Sequence, residues 1–296
     1  MRVTSSMSLR NTMRDLSTSL ERLQSSQRQM ASGKALERVS DDPRAATDIL
    51  VLRGQIARHD QMVKTADDTQ TRLAIADTTL LGVSNSMIRV KELAVRAANT
   101  GVSDTASRTA LSAEVRAMRE QLLSEANTQY LGRSIFGGTA AGPAYDVTTG
   151  AFDGNTAVQG RTVAEGVRIA PNVTGLQAFG DQSSVTGDVF AVLDRLATAI
   201  DANDTTAINA EHTNLDQAHL RVGAALAEVG QRAAQLEELD ARSAIRREGI
   251  LERLSAIENV DLAETVIDVT SFETAHQAAL AAAARAMPPS LSEYLR

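Results

Sequence analysis

Apolar residues at alternating steps of three and four positions predict a helix at each end of this 296-residue chain. Such steps occupy the a and d positions of a coiled-coil seam, which needs a partner to be stable. We interpret the two rows as a candidate coiled-coil seam. Its members are Leu9, Met13, Leu16, Leu20, Leu23 and Met30 in the first row, and Leu262, Val266, Val269, Leu280 and Leu295 in the last. Because each row lacks a partner of its own, we expect the two ends of the chain to pair.

Further helices are predicted after the first row. The first helix should cover about residues 8–32 and end at Gly33, because glycine favours the left-handed cap of a helix C-terminus. Asp42 and Pro43 predict the next start, since aspartate caps free N–H groups and proline fits the first turn. Heptads then continue to about Asn99, a helix of about 85 Å at about 1.5 Å per residue.

The chain is expected to reverse after this long helix. Ser103 or Asp104 is a candidate cap for a third helix, predicted to end near Tyr130. Residues 137–187 are rich in Gly, Thr, Val, Asn and Pro, and their alternating runs at 161–164 and 167–170 indicate a small β-rich insert. Helical heptads return near Val189 and continue, with a short interruption, towards the C-terminal row.

These elements predict a mainly α protein, a long antiparallel helical bundle or coiled coil of N- and C-terminal segments with a small β-rich inserted domain. Residues 1–40 plus 260–296 are predicted to form a terminal coiled-coil segment. We expect this segment to be disordered or frayed in the monomer, because a lone helix of about 20 residues is marginal in water. Residues 41–136 plus 188–259 are predicted to form a helical rod, and residues 137–187 the insert.

Composition narrows the class of function. Aromatic residues make up 3% of the chain, which is typical of helices packed along seams. A net charge of −7 without a basic cluster argues against binding to nucleic acid or to an anionic membrane surface. The N-terminus lacks the pattern of a cleaved signal peptide, and no apolar run reaches the about 20 residues of a membrane span. Since the chain has no cysteine, disulfides and thiolate sites are excluded.

No group of residues predicts an active site, so we expect no catalytic residue, no cofactor and no metal. His212 and His219 share a helix face, but a catalytic zinc usually takes three protein ligands and no third is evident. The histidines of the predicted seams are interpreted as packed side chains; they are His59, His212, His219 and His276. Neighbouring carboxylates, such as those at 41–42, 67–68 and 237–238, are interpreted as helix caps or solvated faces.

Several stretches, in order along the chain, resemble the flagellin superfamily. They are Met30-Ala-Ser-Gly-Lys34, Val39-Ser-Asp-Asp-Pro-Arg-Ala-Ala46, Ala74-Ile-Ala-Asp-Thr-Thr-Leu-Leu81, Val90-Lys-Glu-Leu-Ala-Val-Arg-Ala-Ala-Asn99, Ile135-Phe-Gly-Gly-Thr139, Asp261-Leu-Ala-Glu-Thr265, the alanine run at 277–285 and Leu291-Ser-Glu-Tyr-Leu295. The resemblance covers about residues 1–139 and 205–296. Ser40-Asp-Asp-Pro43 and Phe136-Gly-Gly-Thr139 look like the hook-filament junction branch, whereas the closing Tyr-Leu-Arg is closer to filament flagellin.

The resemblance implies an axial structural protein of the bacterial flagellum without catalysis. Such proteins leave the cell through the flagellar type III export apparatus with an uncleaved N-terminal signal, and they assemble outside it. The implied partners are other copies of the chain in a ring, the proximal hook-associated protein, flagellin, and a cytosolic export chaperone that binds the C-terminal helix. Three alternatives stay open: a filament flagellin, a cytosolic coiled-coil signalling protein of the chemoreceptor type, and an enzyme within the insert.

Overall fold

The computed structural model describes residues 5–36, 38–99, 104–182 and 187–286. Most of these residues are helical, and the predicted mainly α class with a small β-rich insert is confirmed. The helices are α1 (Ser5–Ser32), α2 (Pro43–Ala98), α3 (Thr105–Ala126), α4 (Gly175–Phe179), α5 (Val189–Asp201), α6 (Thr205–Glu258) and α7 (Leu262–Ala286). The strands are β1 (Gln129–Tyr130), β2 (Arg133–Ser134), β3 (Arg161–Ala164) and β4 (Val167–Ile169).

The chain divides into two compact units. The terminal unit falls within Met1–Ala57 and Arg246–Arg296, and the central unit falls within Arg58–Ile245. The predicted boundaries of three domains (residues 1–40 plus 260–296, 41–136 plus 188–259, and 137–187) stay a prediction. None of the helices in the described ranges has the length and apolar character needed to span a membrane.

Aspartate side chains start most of the long helices. The Asp42 carboxylate accepts hydrogen bonds from the backbone N–H groups of Arg44 and Ala45, at 2.9 and 3.0 Å. Asp104 accepts one from Ser107 N–H at 3.3 Å. These two predicted caps are confirmed, and the same arrangement occurs at the starts of α5, α6 and α7, through Asp188, Asp204 and Asp261. Each cap stabilises its helix by about 1 kcal/mol.

The predicted end of the third helix near Tyr130 is wrong. Helix α3 ends at Ala126, and the chain then forms the β1–β2 hairpin. The turn of this hairpin is Leu131-Gly132, with φ of +50° and +74°, which is the conformation that matches the twist of two tightly joined strands. Asn127 supports the change of direction, because its side-chain amide bonds both backbone groups of Tyr145, at 2.8 and 2.9 Å.

The central unit has one continuous core. The inward face of α2 contributes Leu73, Leu80, Val83, Met87 and Val90, and that of α6 contributes Ile208, Leu215, Val222, Val229 and Leu236. The α2 set recurs at steps of three, four or seven positions and the α6 set at steps of seven, as the heptads predict. Helices α3 and α5 pack against each other within the same core.

Aromatic side chains concentrate where the insert meets the helices. Five of the eight phenylalanines and tyrosines of the chain form one cluster, consisting of Phe136, Tyr145, Phe152, Phe179 and Phe190. Tyr145 and Phe190 have ring centroids 5.0 Å apart, and Phe136 meets Phe179 edge to face at 5.2 Å. Because Phe190 belongs to α5, the insert shares its core with the helices.

The predicted strands of the insert are confirmed as the β3–β4 hairpin, which pairs Arg161 with Ile169. Arg161 also forms an ion pair with Asp68 of α2, and the same carboxylate lies 3.3 Å from Arg72 Nε. The Arg72 guanidinium in turn lies over the Tyr130 ring, 5.0 Å from its centroid. These contacts fix the hairpin against α2.

Candidate assembly surface

Helices α1 and α7 pack against each other in the terminal unit. Five buried or half-buried side chains of α1 follow steps of three and four along one face: Thr12, Leu16, Ser19, Leu23 and Ser26. Those of α7 do the same: Thr265, Val269, Phe272, His276, Ala279 and Ala283. A pair of rows with this spacing is typical of two helices joined along a coiled-coil seam.

The structure places the predicted seam residues in two groups. Leu16, Leu23 and Val269 line the contact between α1 and α7, and the last two are each only 8% exposed. The other described members keep 40% to 58% of their surface exposed: Met13, Leu20, Met30, Leu262, Val266 and Leu280. The side chain of Leu9 and the whole of Leu295 lie outside the described residues.

The two groups arise because one neighbouring helix covers only a narrow strip of another. On α1 the covered strip runs through Leu16, Leu23 and Ser26, and Met13 and Leu20 lie beside it and stay exposed. Sequence analysis missed residues such as Ser26 and Thr265, because it searched for apolar side chains. The only signal for them in the sequence was spacing: Ser26 lies three positions after Leu23, and Thr265 lies four positions before Val269.

Two loops hold the ends of the terminal helices together. The loop after α1 pairs with the turn between α6 and α7 through the bridge of Lys34 and Asn259. Ala35 N–H donates to the Glu258 carbonyl at 2.8 Å, and Val260 N–H donates to the Gly33 carbonyl at 3.2 Å. Gly33 has φ of +69°, a conformation that favours glycine. The pairing sets the end of α1 beside the start of α7.

An ion-pair cluster reinforces this connection. Oε1 of Glu258 lies 2.8 Å from Lys34 Nζ and 2.8 Å from Arg53 Nη2. The hydrogen bond from Lys34, followed by the hydrogen bond and charge of Arg53, holds the pKa of Glu258 below its ordinary value. The cluster therefore favours the ionised carboxylate, and it joins the α1–α2 loop, α2 and α6 within the terminal unit.

Replacing Glu258 with Gln is expected to weaken the connection by up to about 1 kcal/mol at pH 7, since partly exposed ion pairs contribute little. A carboxylate whose pKa is lowered in the folded protein stabilises the fold fully at pH values above its ordinary pKa of about 4.3. This contribution disappears as the pH falls through the lowered folded-state pKa. The wild-type protein and E258Q should therefore converge in acid. Hydrogen exchange of the Ala35 and Val260 amides against pH measures this.

Glu252→Gln is the control, because Glu252 is an exposed acid two turns earlier on the same helix. It should leave both amides unchanged. A difference between E258Q and the wild type that persists unchanged in acid would contradict the assignment.

The histidines occupy helical seam positions. His59 is buried, and its Nε2 lies 2.6 Å from Ser243 Oγ and 2.9 Å from the Ser243 carbonyl. His219 is half-buried, and burial lowers the pKa of its ring. His212 lies on the same helix, with Nδ1 3.6 Å from Asp216. Within the described ranges, no three His, Asp or Glu side chains converge as a metal site would require.

The contact of His59 with Ser243 resembles one half of a hydrolase triad. The nearest carboxylate oxygen, on Asp60, is 3.9 Å from His59 Nδ1, too far for the hydrogen bond that orients a catalytic imidazole. Both residues also lie inside long helices, where backbone N–H groups are bonded to carbonyls four residues back and cannot stabilise an oxyanion. The geometry fits a polar contact that joins α2 to α6.

Comparison with known proteins shows that this chain is similar to flagellar proteins. Residues 3–141 match the family described as the bacterial flagellin N-terminal helical region. Flagellar hook-associated protein 3 of Salmonella typhimurium is 27% identical over 273 residues, which cover 84% of this chain and 86% of that protein. Flagellin of Bacillus subtilis is 26% identical over 308 residues, covering 100% of each chain.

A solved structure shows the same fold. The flagellar junction protein FlgL from Legionella pneumophila superposes with a TM-score of 0.56 at 15% identity, covering 73% of this chain and 100% of that one.

Proposed function

We propose that this chain is a member of the flagellin superfamily and a structural protein of the junction between the flagellar hook and filament. The observation that carries the proposal is the match to hook-associated protein 3, which includes most of both chains. The paired terminal helices and the short insert agree with this role. Helices α1 and α7 pack against each other, and both keep apolar side chains that the other helix does not cover.

The proposed mechanism is assembly by the terminal helices after export in an unfolded state. Met13, Leu20 and Leu262 stay exposed on the two helices, so neighbouring subunits would bury them and offset the entropy of ordering the ends. We propose that the chain forms a ring between the proximal hook-associated protein and flagellin. Export would use an uncleaved N-terminal signal, and a cytosolic chaperone would cover the C-terminal helix beforehand. No catalysis is part of this role.

Deletion of the gene tests the proposal. Cells that lack the protein should keep their hooks and release flagellin into the medium, because filament subunits then have no junction on which to assemble. The measurement is an immunoblot of flagellin in the medium beside electron microscopy of the hooks, with a complemented strain as control. Cells with wild-type filaments would reject the junction role.

A filament subunit is the second candidate, favoured by the end-to-end match to Bacillus subtilis flagellin. The same deletion separates the two. A missing filament subunit should leave complete junctions and little flagellin in the medium, and immunogold labelling of the wild type would then follow the filament instead of marking its base.

A further inference from the structure

A groove of about 600 Å³ lies in the terminal unit, between the loop after α1 and the first turns of α2. Its floor is apolar, because Ala46 and Ile49 of α2 line it and are each only 8% exposed. Its walls are apolar and open to solvent, since Val39 of the loop is 67% exposed and Leu50 of α2 is 64% exposed. An open apolar groove of this kind indicates a surface that another protein segment fills.

The rim of this groove is basic. Three of the charged residues that line it are basic and one is acidic, which gives the lining a net charge of +2: Lys34, Arg38, Arg53 and Glu258. Lys34 and Arg53 both contact Glu258 at 2.8 Å, and about half of each basic side chain still faces solvent. Arg38 is exposed as well. A segment that fills the groove is therefore expected to combine an apolar side chain with carboxylates.

The outward side of α7 carries this combination. Residues 261–284 contain four acidic residues and neither lysine nor arginine. Ile267 and Asp268 lie three and four positions after Glu264, so the three side chains share one face of the helix. All three are exposed, and Ile267 keeps 66% of its surface open to solvent. The side chains that contact α1, such as Thr265 and Val269, lie on another side of the helix.

We propose that the groove of one copy receives Ile267 of another copy, with Glu264 and Asp268 against the basic rim. This contact rests on the proposed axial role and specifies how neighbouring copies fit together. The isoleucine covers the apolar floor, and the opposite charges beside it set the register of the two copies. Because the groove and the α7 face are different surfaces, the contact is head to tail and continues from copy to copy.

The contact forms between copies and not within one. Among the described residues, those that line the groove include none from α7. Helix α7 starts beside the groove, where Val260 N–H donates to the Gly33 carbonyl at 3.2 Å, and it then runs along α1. Ile267 lies seven positions after Val260, which is about 10 Å farther along at about 1.5 Å per residue. Bringing it into the groove of its own copy would break the contact of α1 with α7, so a second copy supplies it.

Disulfide cross-linking of the full chain tests the contact, since the chain has no cysteine of its own. Purified I267C is mixed with tagged V39C, oxidised with diamide, and the mixed disulfide is followed on non-reducing gels. It should form at least about tenfold faster than the disulfide of Q277C with V39C, because the contact raises the effective concentration of the two thiols. Gln277 is the matched control, since it is an exposed residue of the same helix ten positions farther along.

Salt and a charge variant test the role of the rim. Raising the salt concentration from about 0.1 M to about 1 M should remove most of the rate advantage, because the screening length falls from about 10 Å to about 3 Å. Asp268→Lys in the I267C protein should lower its rate to that of Q277C. Glu273→Lys, a matching change at an exposed acid outside this face, should leave the rate unchanged. Far-ultraviolet circular dichroism checks that both charge variants keep their helical content.

Equal rates for I267C and Q277C, a rate advantage that salt does not reduce, or equal effects of D268K and E273K would overturn the proposal. In isolated flagella, the double variant V39C/I267C should give a ladder of three or more copies, whereas either single variant should stay monomeric. Flagella that contain the double variant without such a ladder would also overturn it. If labelling finds the protein away from the flagellum, the proposed function fails, and the purified mixture still decides whether the two surfaces pair.

Discussion

Replacing both Leu16 and Leu23 with Asp is expected to abolish incorporation into the flagellum while the central unit stays folded. Both side chains line the contact of α1 with α7, and Leu23 is 8% exposed. Loss of one buried leucine costs about 2–5 kcal/mol, and a buried unpaired carboxylate adds to that cost. Among the described residues, α7 is the helix that packs closely on α1, so the two substitutions strike the main contact of α1.

The measurement is an immunoblot of isolated hook and filament preparations. The matched control is Ser17→Asp with Gln24→Asp, which adds the same two charges at the same spacing to exposed positions of α1. Near-ultraviolet circular dichroism of the purified variants reports on the aromatic cluster, which belongs to the central unit. Incorporation of the leucine variant at the level of its control would refute the seam's role in assembly.

Replacing Phe179 with Ala is expected to destabilise the central unit by about 3–5 kcal/mol, the usual cost of removing a buried phenylalanine. Phe179 is fully buried and lies at the centre of the cluster, with ring centroids 5.2 Å from Phe136, 5.7 Å from Tyr145 and 5.9 Å from Phe190. Its removal leaves a cavity and ends three aromatic contacts, each of which contributes about 0.5–1.5 kcal/mol beyond its buried area.

Denaturant unfolding followed by the near-ultraviolet signal of the tyrosines measures this effect. Phe272→Ala is the control, because Phe272 lies on α7 in the terminal unit and should leave that transition in place. If F179A lowers the free energy of unfolding by less than about 1 kcal/mol, the central position assigned to this ring is contradicted.

The sequence predicted the features that depend on neighbouring positions. Asp42 followed by Pro43 predicted the start of α2, because capping is a local hydrogen bond. The heptad rows predicted which faces of α2 and α6 enter the core. The alternating runs predicted the β3–β4 hairpin, because alternation is also a pattern of neighbouring positions.

Features that depend on distant residues could not be predicted. The end of α3 is set by Asn127, whose amide binds the backbone of Tyr145, 18 positions away. The composition of the insert does not reveal that its rings share a core with α5. The seam residues divide into buried and exposed groups because of how α1 is turned against α7. Spacing within one helix does not give that rotation.

The pairing of the two ends also has a consequence for the order of folding. Leu23 and Val269, which lie on the two sides of the α1–α7 contact, are separated by almost the whole sequence. Contacts between distant positions form slowly, because a long segment must first be brought together. If the chain leaves the cell with its N-terminus first, as the proposed export route requires, α1 emerges long before α7. The helical surface that joins subunits therefore becomes complete only when the last residues of the chain have passed through.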